Sequence, residues 1–280
     1  MGRRLAIAFL LVTSYAIFEF YFPFSAFTVG HPLTSNEVSV IYRLNAGILI
    51  LAFGLMFNRS WRRYLRLPRG RNRWLVSLSI IGFYLFVHLK DIQETRFPIS
   101  FILFGVLFVF AIGFFEELTS RFLILSSLYR CLGLWGALIL SAINFGMMHI
   151  GNFFSGGQGM QETAIQALSA GAVGFMLASL LIYTRSIWVP ILVHATLDLS
   201  LGLGTSPAHA TRTTGGLSGH GIGLTDWAGV GLDLFLNIGL GLLLLRAARV
   251  LGPNQRAGRV AEFFGLVEKP VERQGIKVTM

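Results

Sequence analysis

Glu116, Glu117, His149, His194 and Asp198 are the side chains of this sequence whose types and positions could do chemistry. The two glutamates sit in Phe114-Phe115-Glu116-Glu117-Leu118-Thr119-Ser120-Arg121, inside an apolar run from Phe97 to Leu128 that is long enough to cross a bilayer. An ionised carboxylate near the hydrocarbon centre costs about 2.5–3.5 kcal/mol even on the mildest scale. Two of them beside an arginine therefore read first as a functional site, and second as a structural ion pair tying helices together. Away from span ends, the buried ionisable groups are Glu19, Glu116, Glu117, His149, His194, Asp198 and Asp233. Five of these seven fall in three spans, a grouping that points to one shared site.

Helical spacing sharpens the grouping. Glu117 and Arg121 stand four residues apart, on one face, where they can pair. Glu116 points about 100° away. In Asn144-Phe145-Gly146-Met147-Met148-His149, Phe145 and His149 share a face, and in His194-Ala195-Thr196-Leu197-Asp198 a histidine and an aspartate lie one turn apart. A carboxylate beside an imidazole sets its tautomer and favours the protonated ring. At 1.5 Å per residue, Glu116 lies about 21 Å from Arg130, His149 about 24 Å from Gly133, and His194 and Asp198 about 14 and 20 Å from Arg185. The depths agree only if the helix carrying Glu116 continues past Arg121.

Two chemistries fit these residue types. A glutamate and a histidine converging on one water can deprotonate it for attack on a carbonyl, with the second histidine, or a donor beside it, stabilising the oxyanion. Alternatively Glu116, His149 and His194 bind a divalent metal such as zinc, which lowers the pKa of its bound water. Spacing does not choose between them, because the groups come from different helices.

The elements that must position these residues follow from composition. The chain of 280 residues is 54% hydrophobic and 13% charged, with mean hydropathy +0.67; soluble proteins carry about 25% charged residues. The expected fold is all-α, a polytopic transmembrane helix bundle of about eight spans, near 5–29, 38–57, 74–90, 98–120, 134–153, 164–184, 186–204 and 226–246. Pro23 and Pro190 fall inside the first and seventh, where kinks are expected. With both termini inside, 19 of the 23 Lys and Arg lie on the inner side and four on the outer, as membrane orientation requires. The net charge of +10 is thereby accounted for by the bilayer, and no nucleic-acid partner is expected. The start, Met1-Gly2-Arg3-Arg4 before an apolar run, reads as an uncleaved first span. The single cysteine, Cys131, excludes an intrachain disulfide and reads as a small apolar filler.

Several features are set aside. No HExxH occurs, against a zincin or site-2-type protease. Gly216-Leu217-Ser218-Gly219 before His220 mimics a rhomboid-like motif but lies in a Gly/Thr-rich loop outside the spans, as does His209. Glu19 and Asp233 lack partners at helical spacing and receive no role. Gly171 with Gly174, and Gly239 with Gly241, are read as sites of close helix packing. The seven arginines between Arg59 and Arg73 read as an orientation anchor before a lipid-headgroup contact, and Ala257 to Lys269 as a solvated tail or a short helix on anionic lipid.

The trio Glu116-Glu117-x-x-x-Arg121, Phe145-x-x-x-His149 and His194-x-x-x-Asp198, in that order on separate spans, resembles the CPBP family, the CAAX-prenyl-protease-like and bacteriocin-processing (Abi) membrane proteins. Trp135-Gly136-Ala137, Ser141-Ala142 and Arg185 to Leu192 agree with it, and the resemblance covers roughly residues 100–204. It implies an intramembrane endopeptidase in which the residues matching Glu116 and His149 activate water and those matching His194 and Asp198 form the oxyanion site. Asparagine is frequent at the last position. An ionised aspartate cannot donate, so Asp198 is assigned the orientation of His194, with Glu117, Arg121 and Phe145 in support. Family members are often labelled metalloproteases, yet the water-activating account needs no metal.

The expected organisation is 1–97, N-terminal spans and a basic cytosolic loop; 98–204, the protease-like core; 205–246, an outer loop and the last span; and 247–280, a basic cytosolic tail. The expected partners are a membrane-anchored protein or peptide substrate and the lipid bilayer, and the arginine-rich, lysine-poor text points to a bacterial plasma (inner) membrane. Two other functions compete: a non-catalytic scaffold or bacteriocin-immunity-type protein, and a transporter. Against transport, the polar residues have no pseudo-symmetric counterpart in the other half of the chain.

Overall fold

The computed structural model describes residues 35–57, 59–88, 98–154, 159–203 and 224–248. The expected first span with Glu19 and Pro23, most of the 205–225 loop with His209 and His220, and the tail beyond 248 lie outside the described residues. Within them the chain is helical and no strand occurs: α1 (Ser35–Phe57), α2 (Arg71–Val87), α3 (Ile99–Glu117), α4 (Ser126–Met148), the one-turn α5 (Gly151–Phe154), α6 (Met160–Thr184), α7 (Trp188–Leu197), α8 (Leu199–Leu203) and α9 (Leu224–Ala247). A 3-10 turn, Arg59–Arg63, follows α1. A π-helical segment, Leu118–Leu125, joins α3 to α4.

Five of these stretches are long and apolar enough to cross a membrane: Asn36–Met56, Ile99–Tyr129, Cys131–Phe154, Met160–Thr184 and Asp226–Ala247. The helical path from Ile99 to Tyr129 meets the condition set by depth: it passes Arg121 without a break. The third expected span, 17 residues at 74–90, corresponds to the 17-residue α2, shifted three residues toward the N-terminus. The seventh is broken: α7 has ten residues and ends at Asp198, whose φ of −87° and ψ of 4° leave the helix before α8 begins. Pro190, expected to kink that span, sits instead in the first turn of α7, where a missing N–H costs no intrahelical bond. A different residue bends α4: Gly133 at φ 68° and ψ −170°, a conformation that glycine adopts without a Cβ clash.

Helix α6 packs along both α4 and α9, and α3 is covered by α1 on one side and by α7 and α8 on another. The main core lies beneath the π segment, where Leu118, Phe122 and Leu125 meet Trp61, Ile191 and Leu245. Close approach of helices depends on some of the glycines first singled out and on others besides. A Cβ on Gly105 would overlap the carbonyl oxygen of Gly202, and one on Gly146 would overlap that of Ala167. Gly241 and Gly174 do face packed rings, Phe175 and Phe145, but Gly239 faces open space. Because the obstacle at Gly105 is backbone, Gly105→Ala is expected to destabilise the protein by about 1–3 kcal/mol, read as a lowered midpoint of thermal unfolding in detergent. Cys131 is exposed rather than packed as a filler.

Candidate active site at the junction of α3, α4 and α7

The two carboxylates ending α3 diverge, as helical geometry demands. Glu117 turns inward, where Arg121 Nε donates to its Oε2 at 2.8 Å and Nη2 to its Oε1 at 3.1 Å. Both side chains are 0% exposed. The pair at i,i+4 is thus present, and its fork geometry is the strongest form of such a contact. The widened turn that carries Arg121 has a counterpart in the many π segments found at functional sites.

Glu117 has a second partner that spacing did not reveal. His194 Nδ1 lies 3.1 Å from Glu117 Oε1. A carboxylate only accepts, so Nδ1 carries the proton, and Glu117 rather than Asp198 fixes this face of the ring. On the other face, His194 Nε2 is 3.3 Å from Asp198 Oδ2 and 3.8 Å from Glu116 Oε2. One imidazole is therefore surrounded by three carboxylates, with the Arg121 guanidinium behind the most buried of them. Exposure grades across the cluster, from 0% at Glu117 to 16% at Glu116 and 30% at Asp198. The cluster is most exposed on its Glu116–Asp198 side.

Phe145 is the aromatic hub. The Arg121 guanidinium stands 5.1 Å from its ring centroid, within cation–π range. The ring also contacts His194 at 5.6 Å and His149 at 5.7 Å between centroids. Gly174 of α6 makes room for it, since a Cβ there would meet the Phe145 side chain at 3.0 Å. His149 shares this aromatic neighbour with the carboxylate cluster. Its Nδ1 is 3.1 Å from the Phe145 carbonyl oxygen; a carbonyl only accepts, so Nδ1 bears a proton and Nε2 is the nitrogen left to face other groups.

What brings α7 within reach of α3 is a glycine. Gly113, one turn before Glu117, faces the backbone of α7: a Cβ there would lie 2.9 Å from the Ile191 carbonyl oxygen and 3.4 Å from His194 Cβ. Gly113→Ala must therefore push α7 outward. A displacement of this kind is expected to lower any activity that depends on the cluster by at least tenfold, because reacting groups tolerate little misplacement, with a smaller effect on the thermal midpoint; parallel rate and unfolding measurements check it.

The metal reading finds no support in this geometry. Among the described residues, no group of three or more His, Cys, Asp or Glu is arranged to hold a metal ion.

Asp233, set aside as lacking a partner at helical spacing, has one: Asn237 Nδ2 donates to its Oδ1 at 2.7 Å, and Tyr84 OH donates to Asn237 Oδ1 at 3.4 Å. The signal was present as an i,i+4 Asp–Asn pair. This network joins α9 to α2, away from the cluster around His194.

Residues 98–200 match the model of a family described as Type II CAAX prenyl endopeptidase Rce1-like. No curated protein and no solved structure matches the chain. The matched segment holds Glu116, Glu117, Arg121, Phe145, His149, His194 and Asp198, the stretches Ile99–Tyr129 and Cys131–Phe154 that carry the first five are apolar and long enough for an integral membrane protein, and in this segment the chain is similar to the CAAX protease family.

Proposed function

We propose that the protein is an intramembrane endopeptidase that hydrolyses a peptide bond in membrane-associated protein substrates, of the lipidated CAAX type that the family name describes. The observation that carries this reading is the Glu116 carboxylate on the accessible side of a polar cluster whose Glu117–Arg121 base is fully buried, 3.8 Å from His194 Nε2. Water held between Glu116 and His149 gives up a proton to the glutamate as its oxygen attacks the scissile carbonyl. The resulting oxyanion is met by the Nε2–H of His194, held as a donor by Glu117 on one face and Asp198 on the other. The tetrahedral intermediate collapses with cleavage of the C–N bond, and the proton taken by Glu116 passes to the leaving amine. Asp198 cannot donate while ionised, so its role is to hold His194 charged.

The test is direct. The purified protein in a bilayer is offered membrane-anchored peptides with and without a C-terminal prenylcysteine motif, and products are read by mass spectrometry. Cleavage at one bond is expected. Removal of metal by a chelator is expected to leave the rate unchanged, because the steps above use only side chains. Cleavage abolished by chelation and restored by zinc would replace this mechanism with a metal-dependent one. A second reading, a non-catalytic scaffold, draws on the fully buried Glu117–Arg121 pair, which on its own is a helix tie. It prevails if the wild-type protein cuts none of the peptides.

A further inference from the structure

The segment between α1 and α2 was read as an anchor on charge alone, but it is folded and bonded to the catalytic elements. It holds five arginines from Arg59 to Arg69, the first turn of α2 adds Arg71 and Arg73, and no Asp or Glu occurs from Phe57 to Val87. A simple orientation anchor needs only the charge. Here Trp61 and Tyr64 are 5% and 2% exposed, their rings 4.3 and 5.7 Å from that of Phe122, the residue after Arg121. The carbonyl of Tyr64 accepts from Ile187 N–H at 2.9 Å, and that of Leu65 accepts from the Trp188 indole at 2.9 Å. The segment is thereby tied both to the π segment carrying Arg121 and to the start of α7, which carries His194.

Its outer surface is basic and partly apolar. Arg62, Arg63, Arg66, Arg69 and Arg71 are exposed, and Leu67, between two of them, is 60% exposed. Arg185 adds a further charge from the end of α6. It does so at φ 57°, a left-handed position where glycine is the usual occupant. Burial, and then the charge of Arg185, hold the Arg73 guanidinium below its ordinary pKa, as expected where cations converge without a counter-ion.

We propose that this folded arginine segment is a binding site for acidic phospholipid headgroups, with Leu67 seated among the acyl chains, and that the bound lipid braces the start of α7 against the π segment. Guanidinium forks suit phosphate, juxtamembrane clusters of four to eight Lys or Arg attract anionic lipid, and the lipid surface supplies the negative charge that residues 57–87 lack. The inference concerns lipid binding and does not depend on the peptidase reading.

The test uses the full chain, delipidated in neutral detergent, titrated with phosphatidylglycerol, phosphatidylcholine or inorganic phosphate while thermal unfolding is followed. Phosphatidylglycerol is expected to raise the midpoint by about 2–4 °C or more, and 0.5 M NaCl to suppress the shift. The Arg66→Gln/Arg69→Gln/Arg71→Gln variant is expected to lose most of it. The corresponding lysine triple should retain it, and so should Arg256→Gln/Arg259→Gln/Arg273→Gln, which removes the same charge elsewhere. An equal shift from phosphatidylcholine, a shift in the wild type that survives high salt, or equal loss in the tail triple overturns the proposal. Reproduction of the shift by inorganic phosphate alone overturns the lipid assignment.

Discussion

Glu116→Gln is expected to cut the rate of peptide hydrolysis by about 10²–10⁴-fold, the range for loss of a general base, while leaving the fold intact. The substitution keeps the size of the side chain and its place at the end of α3. It removes only the capacity to accept the proton of water. Glu116 is not part of the Arg121 fork, and at 16% exposure it is the more accessible of the two glutamates. Glutamine there leaves His194 its two nearer carboxylates, Glu117 and Asp198, so stability should change by less than about 1 kcal/mol. The loss should appear in kcat and kcat/KM alike, because the proton is taken only in the transition state. His149→Ala is expected to fall in the same range if its Nε2 shares the water. A Glu116→Gln variant cleaving at the wild-type rate would remove the base from the mechanism.

Arg121→Ala is expected to act through stability instead, lowering it by about 3–5 kcal/mol, the cost of removing one partner of a buried ion pair. Glu117 is 0% exposed and would keep a charge with only His194 beside it. Phe145 would lose the cation over its ring, and with it the contact that holds the aromatic hub between α4 and the π segment. On the scale of a chain this size, the midpoint should drop by roughly 10 °C. The decisive comparison is Arg121→Met combined with Glu117→Gln, which removes both charges. Its stability should exceed that of Arg121→Met alone, since no carboxylate is left uncompensated. The double variant is still expected to be inactive, because His194 Nδ1 then faces an amide in place of a carboxylate. A double variant no more stable than the single one would show that the pair does not carry the energy assigned to it.

Much of the site was legible as one-dimensional spacing, because helical periodicity converts sequence distance into angle. The i,i+4 rule placed Glu117 with Arg121 and His194 with Asp198, and both contacts are present at 2.8 and 3.3 Å. Apolar composition set the all-helical fold. The depth argument required a helix continuing past Arg121, and it does. The same rule misled where it was applied incompletely: Asp233 has Asn237 one turn away. It also misled where a span was assumed to be continuous, since nothing in His194 to Leu203 announces that the helix leaves its path at Asp198.

By itself, then, the order of residues determined a membrane-embedded helical bundle, the set of ionisable groups available for chemistry, and which of them share a helical face. Tertiary structure alone decided that Glu117 serves two partners 4 and 77 residues away, that His149 shares Phe145 with the cluster, and that the arginine segment is bonded to α7. The reason is physical. Contacts between helices depend on how closely two backbones cross, here set by the missing side chain of Gly113 against the Ile191 carbonyl, and on where a helix widens or breaks, neither of which a spacing rule along one chain contains.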